Sequence, residues 1–260
     1  KLIQALSERW QEPKENLYPY LDLVATAIAA DIVPMEGENR TLSFFGLAQL
    51  RQNPRPGIQA FLSTLKKPVN ITDLVFKVAP RINAAGRMDH ALVAVDLLRS
   101  KDPTAVKKIA EAIEEFNSER RATDERITKA ALDQIKQREE ESFPATVVYA
   151  DDWHKGVVGI VASRLIENYY RPTVVLTRSG ENYAGSVRSV KGFNVYEALE
   201  ACKTHMIQFG GHKYAAGLTL KETQLAAFKA AFEKQVEDTI LPEQRAPVIL
   251  YDLAIPIEEV

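Results

Sequence analysis

One stretch of this chain constrains its fold more than any other, because the segment from Thr104 to Phe143 contains neither glycine nor proline. Charged residues of both signs surround a sparse apolar stripe along it, made up of Val106, Ile109, Ile113, Phe116, Ile127, Ala131 and Ile135. Spacings of three and four residues predict one or two long helices that expose most of their surface to water. Since a helix holds two domains at a fixed distance, we interpret the segment as a helical connector.

Composition limits the class of protein. The chain has 260 residues, of which 46% are hydrophobic, so it can bury a core and is expected to form two domains. Its formal net charge is −2, and any contact with nucleic acid must therefore come from local clusters of donors. The single cysteine, Cys202, excludes an internal disulfide framework and a cysteine-based zinc site, and it fits a reducing compartment.

The sequence also gives an expectation about location. No apolar run approaches the roughly 20 residues of a membrane span, and no basic-then-apolar leader opens the chain. We therefore expect a cytoplasmic protein without a membrane partner. Because the chain starts with lysine inside a helix-like stretch, we also expect it to be a piece of a longer protein.

The segments on either side of the connector differ in their pattern of apolar runs and turn signals. From Leu17 to Arg99, short apolar runs alternate with turn signals, which is typical of mixed α/β structure. After Pro144 we predict the order strand, helix, strand, strand, helix, strand, helix, which indicates an α/β domain whose sheet is covered by helices. The expected divisions are a first domain at 1–102, the connector at 103–143, a second domain at 144–240 and the start of a further domain at 241–260.

Three short motifs in the second domain carry donors that suit an anion. His154 stands just before a predicted helix, where free N–H groups and the helix dipole favour negative charge. Ser186 and Arg188, in "GSVRS", combine a hydroxyl with the planar fork of a guanidinium, which suits phosphate. The alternatives are an exposed loop with ordinary helix packing and a charged turn between strand and helix.

The third motif is "FGGHKYAAGL", which runs from Phe209 to Leu218. Gly210 and Gly211 permit backbone conformations in which consecutive N–H groups curl into an anion-binding nest, and His212 adds a side-chain donor. The alternative is a glycine turn that merely precedes the strand "AAGLTL".

Two further candidates lie in the first domain. Arg81, Asn83 and Arg87 bracket small residues in "APRINAAGRM", so they are candidates for a surface grip on a backbone phosphate, or else mark a helix start with solvated arginines. Asp31 ends a long apolar run and could coordinate a hard cation. On spacing alone a capping role is favoured, with a pair to Arg40 as another alternative.

Taken in order, these motifs are highly specific. The stretches "LDLVATAIAADIVPMEGENR", "PRINAAGRM", "WHKGVVGIVASRL", "GSVRS" and "FGGHKYAAGL", with a long helical stretch after the second, closely resemble the RecJ family of single-strand-specific 5′ to 3′ exonucleases. That family belongs to the DHH/DHHA1 phosphoesterases, and the resemblance covers roughly Leu17 to Thr239. It implies an α/β protein containing the C-terminal part of a DHH domain, a connecting helix, a DHHA1 domain and the start of an OB-like domain.

The resemblance also implies roles for single residues. Asp31, in "AADIVP", matches the last of the family's metal-binding aspartates and is preferred over Asp22 as the ligand. The motif match implies that Arg81 and Arg87 are catalytic residues that hold substrate backbone near the scissile phosphate, that Asn83 binds nucleic acid, and that Ser186 and Arg188 receive the 5′-terminal phosphate. The family's DHHA1 motifs, on the cleft wall that faces nucleic acid, are matched by His154, Gly210, Gly211 and His212.

One departure from the family pattern concerns the metal centre. The family's Asp-x-Asp pair, lone Asp and Asp-His-His triplet are absent, and "MDHA" after Gly86 has one histidine in the wrong place. Two-metal hydrolysis needs several ligands. We therefore expect the intact enzyme to use Mn²⁺ or Mg²⁺, and this chain alone to bind nucleic acid without cutting it.

The resemblance implies a function in DNA repair and recombination, with single-stranded DNA as substrate and a helicase or a single-strand-binding protein as candidate partners. Two other functions are kept open. The chain could be a binding module without catalysis, or a phosphodiesterase for short oligonucleotides or cyclic dinucleotides. The long connector and "PRINAAGR" favour the polymer exonuclease.

Overall fold

The computed structural model describes residues 2–63, 65–249, 251 and 253–255. Contacts divide the chain into two compact units, Lys1–Arg121 and Ala122–Val260. Of the stretch 241–260, where a further domain is expected, positions 250, 252 and 256–260 lie outside the described residues.

The first unit is built from helices. They are α1 (Leu2–Arg9), a 3₁₀ turn (Lys14–Tyr20), α2 (Leu21–Asp31), α3 (Gly37–Gln52), α4 (Pro56–Leu62), α5 (Ile71–Asp73), a π-helical turn (Leu74–Val78), α6 (Ala79–Met88), α7 (Leu92–Arg99) and the start of α8 (Pro103–Gln137). The segment Leu17 to Arg99, expected to be mixed α/β, is helical in all its described elements. A short apolar run does not distinguish a buried strand from a buried helix by periodicity, and here Ala25, Ile28 and Ala29 line the buried side of α2.

A buried ion pair joins three helices of this unit. The Asp22 side chain is 2% exposed, and its two carboxylate oxygens accept hydrogen bonds from Arg55 at 3.0 and 3.1 Å. Arg55 also donates to the carbonyl of Leu98 at 3.1 Å. Asp22 therefore has the partner that a carboxylate in an apolar run requires, and its role is structural.

We predict that Asp22→Ala lowers the free energy of unfolding by about 3 kcal/mol, because it leaves the Arg55 guanidinium without its carboxylate. Urea denaturation followed by circular dichroism measures the change. Asp31→Ala is the matched control and should leave stability nearly unchanged, since Asp31 is exposed at the end of the same helix. Equal unfolding midpoints for both variants would contradict the structural role of Asp22.

The connector is a single helix of 35 residues, α8, about 50 Å long at 1.5 Å per residue. The members of the stripe at 106, 113, 127, 131 and 135 are all buried, as the spacing predicts. Two buried polar side chains, Asn117 and Asp124, share the stripe and were not expected. No helix within the described ranges, α8 included, is long and apolar enough to cross a membrane.

The second unit has one five-stranded sheet. Its elements after α8 are β1 (Thr146–Ala150), α9 (Val158–Asn168), β2 (Thr173–Ser179), β3 (Asn182–Arg188), α10 (Val195–Ala201), β4 (Gln208–His212), β5 (Ala215–Lys221) and α11 (Leu225–Thr239). The strand order is β1-β2-β3-β5-β4, with β1 parallel to β2 and the other pairs antiparallel. The predicted order of strands and helices is confirmed, and β4 is an additional strand.

Helices α10 and α11 cover one face of this sheet. The core between them contains Val174, Leu176, Val187, Leu199, Leu218, Leu220, Phe228 and Phe232. Cys202 belongs to it and is 1% exposed, and burial raises the pKa of its thiol. At the β1 edge, the Gln134 side-chain amide exchanges two hydrogen bonds with the Tyr149 backbone, at 3.0 and 3.1 Å. These bonds pair backbone N–H and C=O groups that would otherwise be exposed at the edge of the sheet.

Candidate nucleic-acid interface

The other face of the sheet carries the polar side chains. Residues paired between adjacent strands project from the same face, so the register defines rows of neighbours across the sheet. In the order β2, β3, β5, β4, these rows are Thr173–Arg188–Ala215–His212, Val175–Ser186–Gly217–Gly210 and Thr177–Ala184–Thr219–Gln208. The register therefore places the "GSVRS" and "FGGH" motifs on one face, two strands apart.

Helix α9 covers only part of this face. It packs against β2 and β3, and exposure increases from β2 toward the β4 edge: Val175 is buried, Ser186 is half-buried, and Gly217 and Gly210 are exposed. The uncovered part forms an open groove of about 400 Å³. Its lining includes Lys155, Ser186, Gln208, Gly210, Gly217 and Thr219.

Ser186 and Arg188 lie against the first turn of α9. A Cβ atom built on Gly159 would stand 3.2 Å from Ser186 Oγ and 3.0 Å from Arg188 Nη2. The hydroxyl and the guanidinium thus meet the end of α9 where the helix dipole is positive. Glycine at 159 leaves room for this approach. Together these donors can bind an anion such as phosphate.

The loop before α9 is held by hydrogen bonds to the neighbouring strands. Asp151 accepts from the Tyr183 hydroxyl and pairs with Arg178 at 3.1 Å. Thr177 Oγ1 donates to the Trp153 carbonyl at 2.6 Å. The hydrogen bonds from Tyr183 and Arg178 keep the pKa of Asp151 below its usual value, while burial and the Asp151 carboxylate raise the pKa of Tyr183 to about 12. The start of α9 is therefore fixed before any ligand binds.

His154 lies in the turn that starts α9. Its ring Nδ1 accepts from the Gly156 N–H at 3.2 Å, and its carbonyl accepts from the N–H groups of Val157 and Val158 at 2.9 and 3.3 Å. The side chain is half-buried. These contacts make His154 part of the local turn structure, and its predicted contact with nucleic acid stays a prediction.

The glycine pair lies in a strand and not in the expected loop. Gly210 and Gly211 belong to edge strand β4 and face Gly217 and Ala216 of β5. Gly211 has φ of 151°, and a Cβ there would stand 2.4 Å from the Ala215 carbonyl oxygen. A Cβ on Gly210 would meet nothing within 4 Å. The backbone therefore requires glycine at 211, whereas at 210 glycine leaves the groove floor open.

We predict that alanine destabilises the protein at position 211 but hardly changes its stability at position 210. Gly211→Ala should lower the free energy of unfolding by about 2 kcal/mol or more, because the new methyl group overlaps β5 and the backbone conformation suits only glycine. Gly210→Ala should change it by less than about 0.5 kcal/mol, as surface substitutions do. Thermal unfolding of the two variants checks the difference, and equal losses would show that the two glycines have the same role.

Sequence reasoning missed part of the groove. Gln208, Gly217 and Thr219 line it, and Gln208 Nε2 donates to Thr219 Oγ1 at 3.4 Å. The sequence feature that could have revealed this part of the groove is the pair of short segments on either side of Lys213 and Tyr214. These segments form a hairpin with a two-residue loop. Because glycine is unfavourable in strands, the sequence of the first of these segments favours a turn instead.

The three "PRINAAGR" side chains lie on helix α6 of the first unit but do not share a face. Arg81 forms an ion pair with Glu114 of α8 and donates to the Lys77 carbonyl at 2.7 Å. Asn83 and Arg87, four residues apart, lie on one exposed face of α6. The structure thus separates a side chain that joins helices from two that face solvent.

Asp31 is the last residue of α2 and is exposed. Its carboxylate forms no hydrogen bond or ion pair with any other described residue, so the expected alternatives of a cap or a pair with Arg40 are not formed. Across the described ranges, no group of three or more His, Cys, Asp or Glu residues could hold a metal ion. One carboxylate does not make a two-metal centre, and these residues alone do not fit the Mn²⁺ or Mg²⁺ site of the family.

Comparisons with known proteins show what this chain is similar to. Residues 142–238 match the model of the DHHA1 domain. RecJ of Bacillus subtilis, named a single-stranded-DNA-specific exonuclease, is 36% identical over 245 residues, which are 92% of this chain and 31% of that protein. The chain is a relative of RecJ.

Solved RecJ structures extend the likeness to the fold. The crystal structure of Thermus thermophilus RecJ in complex with Mg²⁺ matches with a TM-score of 0.81 at 30% identity, over 91% of this chain and 37% of that one. A structure of exonuclease RecJ bound to manganese matches with a TM-score of 0.78 at 30% identity, over 93% of this chain and 60% of that one. The chain therefore spans less than two thirds of the length of these RecJ proteins.

Proposed function

We propose that this chain is part of a RecJ-type exonuclease that removes nucleotides from the 5′ end of single-stranded DNA. The observation that carries the proposal is the uncovered part of the sheet, where Ser186 lines the open groove and lies with Arg188 against the first turn of α9. The names of the relatives, single-stranded-DNA-specific exonucleases, support the choice of substrate. A role in DNA repair, with a helicase or single-strand-binding protein as partner in the cytoplasm, belongs to the same proposal.

In this proposal the terminal phosphate binds between Ser186 and Arg188. The hydroxyl and guanidinium donate to its oxygens, and the dipole of α9 adds favourable electrostatics. The rest of the strand lies along the groove, where the bare backbone of Gly210 and Gly217 leaves space for a sugar or base. Gln208 and Thr219 offer donors and acceptors at the rim of the groove, and His212 ends the neighbouring row.

We assign binding, and not cleavage, to this chain by itself. Metal-assisted hydrolysis needs a set of ligands that the described residues do not contain, so Mn²⁺ or Mg²⁺ is proposed for a longer protein to which the chain would contribute Asp31. A carboxylate at the negative end of a helix is unfavourable unless a cation offsets it. The exposed Asp31 at the end of α2 supports that role, and Arg87 and Asn83 are proposed to contact substrate backbone.

We predict that Arg188→Ala weakens binding of a 5′-phosphorylated single strand by about 10- to 100-fold, the value of a hydrogen bond to a charged group. Binding of the same strand with a 5′-hydroxyl end should change much less. Fluorescence anisotropy with the 260-residue chain measures both affinities. Arg126→Ala is the matched control, because Arg126 belongs to the same unit and its side chain is 57% exposed in a long ion pair with Asp152.

The same measurements separate the alternative functions. If Arg188→Ala and Arg126→Ala weaken both strands equally, the phosphate contact is wrong and only general charge matters. If the unmodified chain binds dinucleotides as tightly as a strand of about 20 nucleotides, the small-substrate phosphodiesterase replaces the polymer exonuclease, because a groove that follows a strand gains contacts with each nucleotide.

We predict that Gly210→Val reduces affinity for single strands at least about 10-fold while the protein stays folded. The isopropyl group would occupy the groove floor, where a Cβ meets nothing within 4 Å, and β-branched residues are favourable in strands. Anisotropy and thermal unfolding of the same sample check the two statements. Unchanged affinity would place the strand elsewhere on the surface.

A further inference from the structure

A nearly continuous helical segment runs from Ile71 to Met88 in the first unit. It consists of α5, the π-helical turn Leu74–Val78 and α6. The capping box at Asn70 fixes its start, since the Asn70 side chain accepts from the Asp73 N–H and the Asp73 carboxylate accepts from the Asn70 N–H. The capping box therefore stabilises the start of the helical segment that carries these side chains.

One face of this segment is exposed and carries residues spaced by four and seven positions. Thr72, Phe76, Asn83 and Arg87 are each exposed, and Arg87 follows Asn83 by four residues, about one turn of α6. The opposite side faces the core through Leu74, Val78 and Ala85, each of which is fully buried. We refer to Thr72, Phe76, Asn83 and Arg87 as the exposed stripe.

The Phe76 ring is the unusual member of the stripe. It is 69% exposed, although a phenyl group gains free energy from burial and the neighbouring Leu74 and Val78 are completely buried. The ring lies inside a π-helical turn, a distortion that is rare and frequent at functional sites. Thus two independent features, exposure of an aromatic ring and a local change of helical period, coincide at one residue.

We propose that Phe76 is a stacking platform for a nucleobase of the single strand, next to phosphate and sugar contacts from Arg87 and Asn83. The proposal rests on the function proposed above and adds a base-binding position that is remote in sequence from the "GSVRS" and "FGGH" motifs. An aromatic ring stacks on any base because every base has a π face. The contact therefore contributes affinity without sequence preference.

The chemistry of the stripe favours a nucleic acid over a protein partner. Its four side chains are a hydroxyl, a phenyl ring, an amide and a guanidinium, and none is acidic. Asp73, the carboxylate on the same segment, is buried and pairs with Lys77 at 3.1 Å, so it does not face an approaching phosphate. Proteins that bind single strands combine aromatic rings with positively charged groups, and Phe76 and Arg87 supply both on this segment.

The test compares two 5′-phosphorylated strands of equal length, one of thymidine nucleotides and one in which every unit after the first lacks its base. Affinities of the 260-residue chain are measured for the unmodified protein and for Phe76→Ala, Phe76→Trp and Phe44→Ala. Phe44 is the matched control because its ring, on α3 of the same unit, is 68% exposed. Thermal unfolding verifies that each variant is folded.

We expect Phe76→Ala to weaken binding of the thymidine strand by about 10-fold, as loss of one stacked base implies. Binding of the abasic strand should stay within about twofold, Phe76→Trp should restore affinity, and Phe44→Ala should have no effect. If Phe76→Ala leaves both affinities unchanged, or lowers both equally, stacking at Phe76 is wrong while strand binding stands. If the unmodified chain binds neither strand, the proposed function fails and the stacking platform fails with it.

Discussion

The candidate interface depends on the incomplete covering of one sheet face by α9. This helix has eleven residues and packs on β2 and β3, so the polar rows of the sheet are buried at one end and exposed at the other. If the helix covered β5 and β4 as well, Gly217 and Gly210 would be ordinary core contacts. Because it does not, the first turn of α9 lies at the border of an open surface, where the positive end of the helix dipole favours an anionic ligand.

The surroundings of that border are arranged before binding. Asp151, Tyr183 and Arg178 hold the loop that leads into α9, and the Arg178 guanidinium also makes two hydrogen bonds to Glu222, each of 3.1 Å. Ordering such a loop costs conformational entropy, and here that cost is met during folding instead of during binding. A chain with a net charge of −2 has no general attraction for polyanions, so positioned donors of this kind must supply the affinity.

Much of the second unit followed from the sequence, because its strands are continuous apolar runs and its helices have clear periodicity. Strand β4 did not, since two of its five residues are glycine and it forms only through pairing with β5, a contact that local propensity does not encode. The segment Leu17–Arg99 also showed the limit of periodicity, because its short buried runs fit both strand and helix. For the candidate site, the order of the motifs predicted which residues take part. It could not separate Gly210 from Gly211, or Arg81 from Arg87, since these differences arise from backbone angles and from Glu114 on another helix.

The burial of Cys202 has a practical consequence. This sulfur is the chain's single thiol and sits at the end of α10, inside the core that supports the back of the groove. A thiol reagent can reach it only when that core opens, and the unfavourable environment for a thiolate slows the reaction further. The rate of modification of Cys202 is therefore a built-in measure of how often the sheet loosens, readable without any introduced label.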